Sequence, residues 1–166
     1  MKKTTPFVAV LVGTAALAFI ASAFAQKSTS DGIAEYRQML EDGNPAELYE
    51  AKGEELWKQK RGPKNASLER CDLGQGPGVV KGVFVTLPRY FADTGRVQDL
   101  ETRIVTCMET LQGFNAAEIA KTGFGKGEMA NVTALATWVA GTSRGMQFNL
   151  PQGHEQERKS YEMGKR

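Results

Sequence analysis

Hydrophobic positions recur along this chain at helical spacing far more often than they alternate. After an apolar stretch from Phe7 to Ile20, the first periodic pattern is Ile33, Tyr36 and Leu40, which predicts a short helix ended by Gly43. The polar, small-residue stretch Gln26–Gly32 before it reads as a linker. Asn44-Pro45 marks a second start, because Asn caps exposed amides and Pro has no N–H to lose in the first turn. That helix runs to about Lys60 and places Tyr49, Gly53, Leu56 and Trp57 on one face. A helical glycine costs about 1 kcal/mol relative to alanine. Gly53 on the apolar face therefore predicts another helix crossing closely there. From Arg61 to Asp93 the rhythm breaks. Arg61-Gly62-Pro63, Gly74-Gln75-Gly76-Pro77-Gly78 and Leu87-Pro88 are turn chemistry, giving a long ordered loop with one short extended piece at Val79–Leu87. Val97, Leu100, Ile104, Cys107, Met108 and Leu111 then predict an amphipathic helix closed by Gly113. The glycine-rich stretch Thr122–Gly127 leads to a last helix near Glu128–Ala140, with Met129, Val132, Leu135, Ala136 and Val139 as its stripe. The tail after Gly141 is polar until Tyr161. The pattern as a whole is mainly α.

Composition adds two boundaries to this picture. The 166 residues, 41% of them apolar, suffice for one modest core. The first 25 do not belong to it. Lys2-Lys3, the apolar run and Ala23-Phe24-Ala25 form a secretory signal cleaved after Ala25. The run contains Gly13 and Thr14 and is short for a hydrocarbon core of about 30 Å, which disfavours a membrane anchor. Without a cysteine at the cut, a lipoprotein is disfavoured too. Export places the chain in an oxidising compartment, with no membrane attachment after cleavage. The formal charge of +2 disappears with Lys2 and Lys3, leaving 19 basic and 19 acidic residues. Bulk charge thus gives no support for a nucleic acid partner.

The candidate chemistry is sparse. One histidine and two cysteines cannot supply a zinc cage or a Cys-x-x-Cys-His haem attachment. Cys107 lies on the buried face of its helix and Cys71 in the loop just before the glycine cluster. In an exported chain they pair with each other, remain buried thiols, or leave one to link a partner. Neither glycine cluster, 74–78 or 123–127, has dinucleotide spacing or the ending of a phosphate loop. His154, alone in a polar tail, reads as solvated, and no nucleophilic triad assembles around it. Asp93, Asp99 and Glu101 read as complements to a helix dipole rather than paired catalytic acids.

Two longer segments carry a resemblance. Gly53-x-x-Leu56-Trp57 resembles the first helix of class I cytochromes c, and Leu135-Ala136-Thr137-Trp138-Val139 resembles the closing helix. Between them, Arg61-Gly62-Pro63, Ala66-Ser67-Leu68-Glu69, Cys71-Asp72-Leu73-Gly74, Gly76-Pro77-Gly78 and the run Leu87–Val97 with Asp99-Leu100-Glu101 together resemble the SoxA family. The likeness covers roughly residues 30 to 166.

That resemblance implies a periplasmic subunit built from two cytochrome c-like domains. The partners it implies are a SoxX cytochrome subunit in a heterodimer and a sulfur carrier protein with a reactive cysteine. The activity is that of an L-cysteine S-thiosulfotransferase, with thiosulfate as substrate. Haem c is expected in a C-terminal domain and in SoxX, and no catalytic, cofactor-binding or metal residue is carried over to this chain. Cys71-Asp72-Leu73-Gly74-Gln75 stands where other members have Cys-x-x-Cys-His, and Cys107 where an axial sulfur would be. The resemblance thereby favours a Cys71–Cys107 disulfide in place of the cofactor. The implied map is a signal peptide at 1–25, a linker and short helix at 26–43, a haemless cytochrome c-like domain at 44–150, and the start of a truncated second cytochrome c domain at 151–166. A weak echo of Tyr49-Glu50-Ala51-Lys52-Gly53 in Tyr161-Glu162-Met163-Gly164-Lys165 agrees with the last of these. The rival reading is a stand-alone periplasmic binding module without enzyme activity.

Overall fold

A computed structural model describes residues 28–165, so the signal peptide expected at 1–25 lies outside the described residues. Among those described there are six α-helices and one two-stranded sheet. Helix α1, Thr29–Asp42, forms a unit of its own, and the chain from Gly43 onward forms a second. The helix starts inside the segment expected to be a linker. Ser28 is the physical reason, since its hydroxyl accepts from the Asp31 amide at 3.1 Å and starts the first turn.

The second unit is built around a crossing of two helices, α2 (Ala46–Lys58) and α5 (Gly127–Gly141). Asn44 Oδ1 accepts from the Ala46 amide at 3.0 Å and opens α2, as the Asn-Pro pair suggests. Gly53, Leu56 and Trp57 are its buried residues, while Tyr49, expected on the same face, is half exposed. A Cβ placed on Gly53 would run into the Ala134 carbonyl of α5 and lie 2.6 Å from Trp138 Cβ. The glycine is therefore the point of closest approach. Trp57 and Trp138 meet beside it, ring centroids 5.6 Å apart and tilted by 50°. On α5, Val132, Leu135, Ala136 and Val139 are buried as the stripe predicts.

The segment between the two crossing helices differs from its prediction in three places. Val79–Leu87 forms no strand; it holds a single 3-10 turn at Phe84–Thr86. The extended pieces come later, β1 (Arg89–Phe91) paired antiparallel with β2 (Arg96–Gln98), Tyr90 facing Val97. Val97 thus belongs to a strand, and helix α3 (Leu100–Cys107) begins only where Asp99 Oδ1 accepts from the Thr102 amide at 2.8 Å. A π turn at Met108–Gln112 continues α3 and ends at Gly113, whose left-handed φ of 81° stops the helix. The short α4 (Ala116–Lys121), capped by Asn115, had no apolar stripe long enough to announce it. In the tail, α6 (Glu155–Gly164) packs against the β1–β2 hairpin.

The interior is one apolar cluster. It joins Leu56 and Trp57 of α2, Leu68 and Leu73 of the loop, Ile104 and Met108 of the third helical stretch, and Val132 and Leu135 of α5. The structure is thus mainly α, with a long loop held over the helix crossing.

Gly53→Ala tests the crossing. Alanine would gain about 1 kcal/mol in helix propensity, yet its Cβ meets backbone, which cannot move aside alone. The variant is expected to lose at least about 2 kcal/mol net, read as a lower urea midpoint.

Candidate functional site

The loop after α2 is where the residues of chemical interest converge. Cys71 and Cys107 are joined in a disulfide, their Cα atoms 5.6 Å apart, and are 1% and 4% exposed. The bond ties the loop to the end of α3 within the apolar cluster. Neither sulfur is available as a thiolate or thioether donor.

The residues that follow Cys71 close a turn on itself. The Asp72 carboxylate accepts from the amides of Gly74 at 2.7 Å and Gly76 at 3.0 Å, and the Gly78 amide donates to Cys71 O at 2.9 Å. An inward-pointing set of glycine amides can bind an anion. Here the anion is the chain's own Asp72, so the cluster at 74–78 offers no open phosphate cradle. Gln75 donates through Nε2 to Gly82 O at 3.1 Å and Thr86 Oγ1 at 3.3 Å. It thereby pins the 3-10 turn. The cluster at 123–127 leads into α5, where no side chain caps the helix.

Arg103 holds this assembly together and was not singled out by sequence. It is 5% exposed on the buried face of α3. Its Nε donates to Asp72 O at 2.7 Å, and its Nη1 donates to both Asp93 oxygens at 3.0 and 2.8 Å. The guanidinium lies 4.0 Å over the Phe91 ring. One side chain thus joins the Cys71 turn, the hairpin and α3. A signal existed, because Arg103 sits between Leu100, Ile104 and Cys107 on an otherwise apolar face. Arg89 supports the turn from the hairpin by donating to Gly74 O.

The three acids read as helix-dipole complements separate on inspection. Asp99 caps α3 and Glu101 lies in its first turn, whereas Asp93 instead pairs with Arg103. They form no facing carboxylate pair. His154 is exposed but engaged. Its ring stacks on Tyr90 at 3.6 Å and 7°, and Nδ1 accepts from the Gln156 amide at 3.2 Å. The ring is exposed as its place in a polar tail suggests, and the histidine in addition caps α6. Glu157 completes the box by accepting from the His154 amide at 2.9 Å and the Tyr90 amide at 2.8 Å. Burial pushes the Glu157 carboxyl upward. The hydrogen bonds from His154 and Tyr90, with Arg89 and His154 nearby, outweigh it and hold the group below the ordinary carboxylate range.

A c-type haem does not fit these residues. Attachment takes two free cysteines and an adjacent histidine, and this turn supplies one cysteine locked in a disulfide, a glycine and a glutamine. The single histidine is committed to α6. Among the described residues no group of three His, Cys, Asp or Glu side chains could hold a metal. What remains open is an apolar groove of about 620 Å³ beside α5, lined by Phe84, Leu100, Met129 and Ala136, with the Arg144–Glu50 ion pair at its edge. Glu101, Thr133 and Thr137 also line it, and the hydroxyls of Thr133 and Thr137 donate to the carbonyls one turn back in α5. No described helix is long and apolar enough to cross a membrane.

Comparison with known proteins places these observations. Residues 52–148 match the model of the SoxA/TsdA cytochrome c domain. The whole chain is similar to the L-cysteine S-thiosulfotransferase subunit SoxA of Hydrogenophilus thermoluteolus, at 44% identity over 62% of that protein. Two proteins of the same description from Hydrogenobacter thermophilus are similar as well. One is 28% identical over 96% of this chain and 59% of its own length, the other 31% identical over 73% and 44%. The chain therefore spans about three-fifths or less of each relative.

Two measurements follow from the geometry. The disulfide closes a separation of 36 residues, which in the chain-entropy account contributes about 4 kcal/mol. Reductant is expected to lower the thermal midpoint substantially, and an unchanged melting curve would contradict this. Glu157, with its folded pKa below the unfolded one, stabilises the protein above the unfolded carboxylate value of about 4.3. That contribution is lost as pH falls through the folded value, so Glu157→Gln is expected to flatten the acid limb of the stability curve.

Proposed function

The chain belongs to the SoxA/TsdA cytochrome c domain family, and on that premise we propose that residues 44–150 are the haem-free scaffold of an exported SoxA subunit. The observation that carries the proposal is the Cys71–Cys107 disulfide, which occupies the attachment sulfur while Gln75 stands in the histidine position. With no cofactor to pack around, the domain uses that bond, Arg103 and the Asp72 turn to hold its long loop on the α2–α5 crossing.

The subunit serves an L-cysteine S-thiosulfotransferase of the periplasm, the activity for which its relatives are named. A sulfur–sulfur bond forms between thiosulfate and a cysteine of a carrier protein. The thiol proton and two electrons leave. Haem c belongs to a further domain of the subunit and to SoxX, the cytochrome with which it pairs. This domain's contribution is to carry surfaces for SoxX and the carrier.

Two measurements on the secreted chain test this. The pyridine haemochrome spectrum of the pure chain is expected to show no covalent haem, and a Soret band that survives acid–acetone extraction would overturn the reading. Affinity capture from a thiosulfate-grown periplasm is expected to recover a small c-type cytochrome. Capture without one would favour a stand-alone binding module.

A further inference from the structure

Several of the large apolar side chains that the second unit leaves exposed meet at one place. Phe148 is 67% exposed and Met146 46%. The Phe148 ring rests on Phe84 with centroids 5.9 Å apart, and the Met146 side chain lies over Gly82. Phe84 is also a wall of the groove of about 620 Å³ along α5. Phe124, 84% exposed between two glycines, is another wall of it. Through these two rings the exposed aromatics and the groove form one continuous apolar face. The Phe148 side of that face is held firmly. The Asn149 amide donates to Val85 O at 2.8 Å, and Thr142 Oγ1 donates to Val80 O at 3.0 Å. A contiguous exposed apolar face marks a contact with another molecule. Aromatic side chains already held in place dominate such contacts, because little ordering remains to be done on binding.

The charges around the face decide what kind of partner it suits. Residues 145–153 carry no charged side chain. Of the charged residues that line the groove, Glu50 and Arg144 pair with each other, and Glu101 stands in the first turn of α3. Lys81, next to Gly82, and Lys126, next to Gly125, are the single charges of their segments. These groups are few and of both signs, so they build no field that would steer a passing protein. Brief encounters between proteins are small and lean on such steering, whereas permanent subunit contacts are more apolar and poor in charge at their core.

We propose that this face seats a permanent partner subunit that presents an uncharged apolar surface, and that the sulfur carrier, which must come and go, docks elsewhere. The inference rests on the pairing with SoxX proposed above and makes SoxX the occupant.

Calorimetric titration of the secreted chain with purified SoxX tests it. Phe148→Ser and Phe124→Ser remove anchors that are mostly exposed, so both variants are expected to keep the wild-type melting midpoint. Each is expected to weaken SoxX binding about thirtyfold, whereas Met163→Ser, at an exposed position on α6, leaves it unchanged. Wild-type affinity is expected to change less than about twofold between about 50 and about 500 mM salt. Binding that survives in both phenylalanine variants, or that falls equally in Met163→Ser, would overturn the face and leave the pairing with SoxX standing. Weakening by salt of more than about tenfold would overturn its permanent, uncharged character. No binding by the wild-type chain would remove the pairing, and the face with it. Sedimentation of the chain alone is expected to show a monomer; a dimer abolished by Phe148→Ser would assign the face to a second copy instead.

Discussion

The close approach of α2 to α5 at Gly53 is the constraint on which the rest of this structure depends. Only a residue without a side chain lets the Ala134 carbonyl sit where a Cβ would be. That contact sets the height of the crossing, and the crossing sets the tilted contact of Trp57 with Trp138 and the floor on which Leu68 and Leu73 pack. A larger residue at position 53 would raise one helix from the other and thin the whole apolar cluster at once.

Above that floor lies a loop too long to hold its own shape by local turns. Its backbone is fixed by long-range ties of different kinds. The disulfide reaches α3, Arg103 reaches the Cys71 turn and the hairpin together, and Arg61 reaches Glu128 on α5 at 2.8 Å. Each tie places an irregular segment against a regular one. The loop is thus kept in place by covalent and ionic means.

The parts of this arrangement that were legible in the sequence are those that depend on periodicity. The α5 stripe, the buried glycine of α2 and the stop at Gly113 are local signals, each with a local cause. The parts that were not legible depend on partners distant in sequence. The hairpin strands are three residues each, too short for an alternating pattern, and Val97 fits a helical stripe as well as a strand. Helix α6 carries few apolar residues because one bridging carboxylate and a stacked histidine hold it. Arg103 interrupts an apolar face, which was visible, but its role required knowing that Asp72, Asp93 and Phe91 come together around it. The chemical reading followed the same division. The Cys71–Cys107 bond was favoured in advance by the resemblance, while the ties through Arg103 and Arg61 could only be seen folded.

The Asp72 turn has a consequence for the history open to such a chain. Gly74, with φ of 106°, leaves no room for a side chain on the face held by Arg89, and its amide is already bound to Asp72. Restoring a cysteine there would oppose the backbone and displace the arginine. Restoring a histidine at 75 would release the 3-10 turn, and freeing Cys71 would untie α3. No single one of these changes helps without the others, and each alone weakens the fold. The neighbouring residues therefore oppose the building of a haem-attachment motif one substitution at a time, as a ratchet opposes reverse motion.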